Sequence, residues 1–114
     1  MKASAVLYAR VSSKEQEREG YSIPAQCKLL RSYAERHNYR IVAEFIDVET
    51  AKQSGRTNFS EMIRFFEEHD EVKILLCEKT DRLYRNFKDY VTIDDLGLTL
   101  VFVKEGSILN KHSR

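Results

Sequence analysis

The spacing of apolar and polar positions changes several times along this chain, and each change predicts an element. Ala5-Val6-Leu7-Tyr8-Ala9 is a short unbroken apolar run, the pattern of a strand covered on both faces. A polar stretch follows from Ser12 to Ser22. Ile23, Cys27, Leu30 and Ala34 then recur at helical spacing, with Leu29 and Tyr33 widening the stripe. Ser22 suits the cap of that helix and Pro24 its first turn. Ile41 to Asp47 reads as a second strand that ends in a carboxylate. A polar loop from Glu49 to Arg56 leads to a second helix with Phe59, Met62, Ile63 and Phe66 on one face. Asn58 followed by Glu61 is its capping-box-like start.

Val72 to Cys77 predicts a third strand and Thr80 to Arg85 a charged loop. Asn86 can cap a short helix that carries Phe87, Tyr90 and Val91, and Leu98 to Val103 is a fourth strand. From Lys104 to Arg114 no strong period is present. The order β-α-β-α-β-α-β predicts an α/β fold. Its core would be a mostly parallel sheet of four to five strands with helices on both faces, a three-layer arrangement like the Rossmann and flavodoxin folds. Function in such sheets collects at the carboxyl ends of the strands.

Composition narrows the classes. A chain of 114 residues is one domain's worth, able to bury roughly 65% of its unfolded surface. With 42% hydrophobic and 32% charged residues it has the mixture of a folded globule. No apolar run approaches the roughly 18 residues of a membrane span. Met1 to Ser4 lead straight into the first strand, so no signal peptide, no membrane partner and a cytoplasmic setting are expected. The net charge of +1 excludes a uniformly basic nucleic-acid glove; DNA binding would need a local arginine cluster or a further basic domain. Cys27 and Cys77 read as small core residues, and the scattered His37, His69 and His112 offer no ligand spacing, so no metal is expected. Four glycines, at 20, 55, 97 and 106, cannot spell a dinucleotide fingerprint or a P-loop.

The residues just past the strand ends carry the candidate chemistry. They are Arg10 and Ser12 after strand one, and Asp47, with Arg56 further down its loop, after strand two. After strand three come Asp81, Arg82 and Arg85. A parallel sheet brings these loops to one edge. Guanidiniums grip phosphate with two prongs and stay charged at any relevant pH, and a serine among them is a nucleophile aimed at phosphorus. Phosphoryl transfer asks the protein mainly for positioning and charge stabilisation. By residue type alone, each arginine is equally an ordinary surface charge. Ser12 is equally a loop hydroxyl or a cap, and Asp81 a salt-bridge partner of Arg82 or Arg85.

Tyr8-Ala9-Arg10-Val11-Ser12 and Asp81-Arg82-Leu83-Tyr84-Arg85 together resemble the serine recombinase family of resolvases, DNA invertases and phage-type integrases. Gly20-Tyr21-Ser22-Ile23-Pro24-Ala25-Gln26 is similar to the large serine recombinases in particular. The resemblance spans essentially the whole chain and implies a resolvase-like catalytic domain over residues 1–114. It implies that Ser12 attacks a DNA phosphodiester, forms a covalent 5′-phosphoserine and releases a 3′ hydroxyl, with no cofactor. Arg10, Arg82 and Arg85 match the arginines around the scissile phosphate, and Arg56 matches a further family arginine. Gln26 and Asp47 match supporting polar positions, and Asp81 is the carboxylate expected to orient Arg82 or handle a proton. Tyr84 departs from the glycine of many small resolvases.

The implied partners are double-stranded recombination sites and further copies of the chain, a dimer or tetramer in the full-length protein. A dimerisation helix and DNA-binding domains are expected beyond residue 114, and the fragment by itself is expected to be monomeric. Two other readings stay open: a small resolvase or invertase type, and a non-catalytic flavodoxin-like binding module. The second would call for acidic residues in the loop after strand one, where this chain has Arg10 and Ser12.

Overall fold

The first apolar run is the centre of the molecule. In the computed structural model, which describes residues 2–12, 22–49 and 57–110, it lies in β1 (Ala3–Ser12). Ala5 to Ala9 are completely buried, as a strand covered on both faces requires. β1 lies between β2 (Tyr39–Glu49) and β3 (Ile74–Cys77). β4 (Thr99–Phe102) and β5 (Ser107–Asn110) complete a five-stranded sheet in the order β2-β1-β3-β4-β5. The first four strands are parallel and β5 is antiparallel to β4.

Alternation along β1 divides the core into two layers. Val6 and Tyr8 face α2 (Thr57–Glu68) and α4 (Phe87–Asp95), packing with Phe59, Met62, Phe66 and Ile93. Ala5, Leu7 and Ala9 face α1 (Ile23–Arg36), against Cys27, Leu30 and Ala34. Each fully buried Leu or Phe in these layers contributes about 1.5–3 kcal/mol. The local signals at two helix starts hold. Ser22 Oγ accepts from the Ala25 amide (3.3 Å), and Asn86 Oδ1 from the Asp89 amide (2.9 Å). Gly97, at φ 66°, ends α4 in the left-handed conformation that glycine adopts without strain.

Two local expectations are corrected, and one segment without a pattern gains an element. Thr80–Leu83 is a short helix, α3, rather than loop, because the Tyr84 amide reaches back to the Thr80 carbonyl (3.1 Å). Residues 107–110, which carry no strong period, form an edge strand because β4 offers them an open row of backbone groups. Asn58 lies inside α2 instead of capping it, and its side chain donates to the Ile46 carbonyl (2.6 Å).

Two features of the ladder set up the strand ends. β3 pairs with β1 only from Ala5 to Leu7, whereas β2 stays paired as far as Ser12 with Glu49. Arg10 and Ser12 therefore project past the end of β3. The β1–β2 register also shifts between Ala5 and Val6, leaving Val42 as an extra residue. Tyr8, Arg10 and Ser12 consequently lie beside Phe45, Asp47 and Glu49. Without the shift their neighbours would come from the opposite face of β2.

Candidate active site

Arg10 and Ser12 share a face of β1 because they are two residues apart on a strand. The guanidinium of Arg10 crosses from there to the segment after β3. Its Nε donates to the Arg82 carbonyl (3.1 Å) and its Nη2 to the Asp81 carbonyl, while Nη1 pairs with Glu49 Oε1 at 2.7 Å. Gln26, completely buried at the start of α1, holds the main chain of the same residue. The Arg10 amide donates to Gln26 Oε1 (3.2 Å), and Gln26 Nε2 donates to the Arg10 carbonyl (3.0 Å).

α3 carries the second arginine motif and is anchored from its far side. Glu105 accepts the Thr80 amide (3.2 Å) and the Thr80 hydroxyl, supplying the cap that Lys79 does not. Arg82 is buried, with its Nε 3.2 Å from Glu78 Oε1, and Glu78 Oε2 lies 3.4 Å from Lys104 Nζ. Both members of the Glu78–Arg82 pair are almost fully withdrawn from water, where breaking a pair is costly. Arg85 extends from the end of this segment, its Nε 3.6 Å from Glu49 Oε1. Arg10 and Arg85 thus meet at one carboxylate oxygen. Between Arg85 and Leu83, the ring of Tyr84 packs on Tyr90 and Phe102, and burial pushes its phenol up to about 12.

Asp47 has a different task. It is buried and accepts from the Tyr8 hydroxyl (2.7 Å), the Asn58 amide (3.1 Å) and the Phe59 amide (2.9 Å). Two unpaired donors of the first turn of α2 are thereby satisfied by a carboxylate from β2, which the helix dipole also favours.

A family model described as the resolvase N-terminal domain matches residues 5–113. The chain belongs to the resolvase family.

Solved structures agree with this resolvase assignment. A resolvase family site-specific recombinase from Streptococcus pneumoniae superposes with a TM-score of 0.78 at 32% identity, over 94% of this chain and 76% of that one. The C-terminal catalytic domain of ISC1926 TnpA, an IS607-like serine recombinase, gives 0.70 at 28% identity, over 89% and 70% of the two chains. The N-terminal catalytic domain of TP901-1 integrase shares the fold, with a TM-score of 0.76 at 23% identity over 92% and 81%. The expected α/β resolvase-like sheet is what this chain forms.

Within the resolvase domain, Arg10 is bonded to the Asp81–Arg82 backbone and Arg85 to the same glutamate as Arg10, so these motif residues gather at one sheet edge. Ser12 is the last residue of β1, partly buried, beside Glu49. Asp81 enters the network through its carbonyl oxygen, while the carboxylate paired with Arg82 is that of Glu78. Arg56 and the Gly20–Tyr21 part of the third motif lie outside the described residues. Three acidic residues escaped the sequence reading: Glu49, Glu78 and Glu105. Glu78 precedes Arg82 by four residues, a spacing that could have flagged the pair; Glu49 and Glu105 depend on contacts across the fold.

Proposed function

We propose that this site-specific recombinase catalytic domain cleaves and rejoins DNA through Ser12. The Ser12 hydroxyl gives up its proton and its oxygen forms a bond to the phosphorus of a phosphodiester as the bond from phosphorus to the 3′ oxygen breaks. The 3′ oxygen leaves with a proton as a hydroxyl, and the 5′ end stays on the protein as phosphoserine. Attack by a 3′ hydroxyl reverses the step after strand exchange. Because each ester bond is exchanged for another, no nucleotide cofactor is called for.

The observation that carries this reading is the convergence of Arg10 and Arg85 on a single anion beside Ser12. Two guanidiniums fixed around one oxyanion are suited to charge developing on a phosphate. Double-stranded recombination sites are the substrate in this reading. Assembly as a dimer or tetramer belongs to the same reading, and with a net charge of +1 these 114 residues would draw most of their DNA affinity from further basic segments.

A nicked substrate that traps the cleaved state tests the mechanism in the full-length protein. A protein–DNA adduct at the 5′ end is expected for the wild type and none for Ser12→Ala, with DNA binding unchanged. An adduct that survives Ser12→Ala removes Ser12 from the reaction.

A further inference from the structure

We propose that Glu49 occupies the place of the scissile phosphate in the DNA-free protein and gives it up when a phosphodiester binds. The proposal rests on the reading that Arg10 and Arg85 bind that phosphate.

The partners of Arg10 differ in what can replace them. Its Nε and Nη2 point at the main-chain carbonyls of Arg82 and Asp81, which are held by α3. Its Nη1 points at Glu49 Oε1, a side chain at the last residue of β2. A two-pronged grip on phosphate needs adjacent nitrogens of one guanidinium. The edge made by Nε and Nη2 faces backbone, so the exchangeable edge is the one that Glu49 meets. The same Oε1 is the atom 3.6 Å from Arg85 Nε, so releasing one carboxylate exposes both arginines together.

Charge and position favour an exchange. A carboxylate and a phosphodiester each carry one negative charge, and substituting one for the other leaves the balance of the cluster unchanged. Keeping both would place two anions side by side. The Glu49 side chain is 18% exposed, against 2% for Glu78, so it can swing toward solvent where Glu78 cannot. Glu49 is also the ladder partner of Ser12, which places the vacated position next to the attacking oxygen. The Glu78–Arg82 pair is a permanent part of the scaffold, and the Glu49 bridge is a removable one.

Inorganic phosphate titrated into the 114-residue chain provides the test, with affinity read from the Nε–H resonances of Arg10 and Arg85. Glu49→Gln keeps the shape and removes the charge. It should tighten phosphate binding by about 5-fold or more, since two unit charges a few ångströms apart repel even in a partly solvated site. Glu49→Ala should move the affinity in the same direction. Arg10→Ala and Arg85→Ala should each weaken it in either background. Equal or weaker binding by both Glu49 variants, with the arginine dependence intact, overturns the exchange and leaves the phosphate site standing. Binding that ignores both arginines overturns the site reading and the exchange with it.

Discussion

Gln26 completes the hydrogen-bond ladder of Arg10: the side-chain amide of one bonds both main-chain groups of the other, at 3.2 and 3.0 Å. In a parallel sheet the N–H and C=O of a residue serve the same side. β3 stops pairing with β1 at Leu7, so at Arg10 a strand neighbour is missing there. The glutamine amide presents a donor nitrogen and an acceptor oxygen at the right separation to take its place.

Replacing Gln26 by Leu should therefore cost about 1–3 kcal/mol, since two partly buried backbone groups lose their partners. Urea unfolding of the chain measures it. A loss below about 0.5 kcal/mol would mean that water reaches both groups and that Gln26 is a bystander.

Asp47 should be a folding residue. Asp47→Ala removes an anionic acceptor from Tyr8 and from two helix amides, and about 3 kcal/mol of stability should go with it. Tyr8→Phe should cost about 1 kcal/mol. A double-mutant cycle between Tyr8→Phe and Asp47→Ala should show a coupling of about 0.5–2 kcal/mol, and strict additivity would deny the bond.

Glu78 and Lys104 form one ion pair on paper but should behave differently. Glu78→Ala strips the carboxylate from a buried guanidinium, a loss of about 3 kcal/mol or more. Lys104, whose side chain is 49% exposed, should cost no more than about 1 kcal/mol on truncation to Ala. Equal effects in thermal or urea unfolding would contradict the burial argument.

Tyr84 predicts an alkaline signature. Its phenol is raised to about 12 by burial first, and then by the neighbouring Cys77, Tyr90 and Asp94. The folded chain thus holds this proton more tightly than the unfolded chain, in which a tyrosine titrates near 10. Stability from this group is complete below about pH 10 and declines as pH rises through 12. Tyr84→Phe should flatten that part of the stability–pH curve, and ultraviolet titration should lose a phenolate step near pH 12.

Arg10→Lys tests the geometry of the site. An ammonium cannot span the Glu49, Asp81 and Arg82 oxygens that the guanidinium reaches. Cleavage by the full-length protein should fall by at least ~10²-fold while DNA binding persists. Near-normal cleavage would mean that a point charge at this position suffices and that the guanidinium geometry is dispensable.

The order of the elements was legible because periodicity depends on neighbours along the chain. The run from Ala5 to Ala9, the stripe through Cys27 and Leu30, and the caps Ser22 and Asn86 all act within a turn or a strand. The tyrosine-to-serine motif and the second arginine motif likewise carried their resemblance in consecutive residues. Asn58 looked like a cap by the same local logic. Asp47, eleven residues away in sequence, took that task because the fold places a full carboxylate at the helix start.

What the tertiary structure alone decided is which side chains meet. An apolar strand pattern states which face is buried, and it is silent on register. The extra residue at Val42 shifts β2 by one position, and that shift puts Glu49 rather than Val48 beside Ser12. The partnership of Arg10 with both Glu49 and the Asp81–Arg82 backbone reaches 39 residues along the chain to the first and over 70 to the second. Side chains so far apart in sequence share an atom only after the sheet has closed, so their meeting leaves no trace in local spacing.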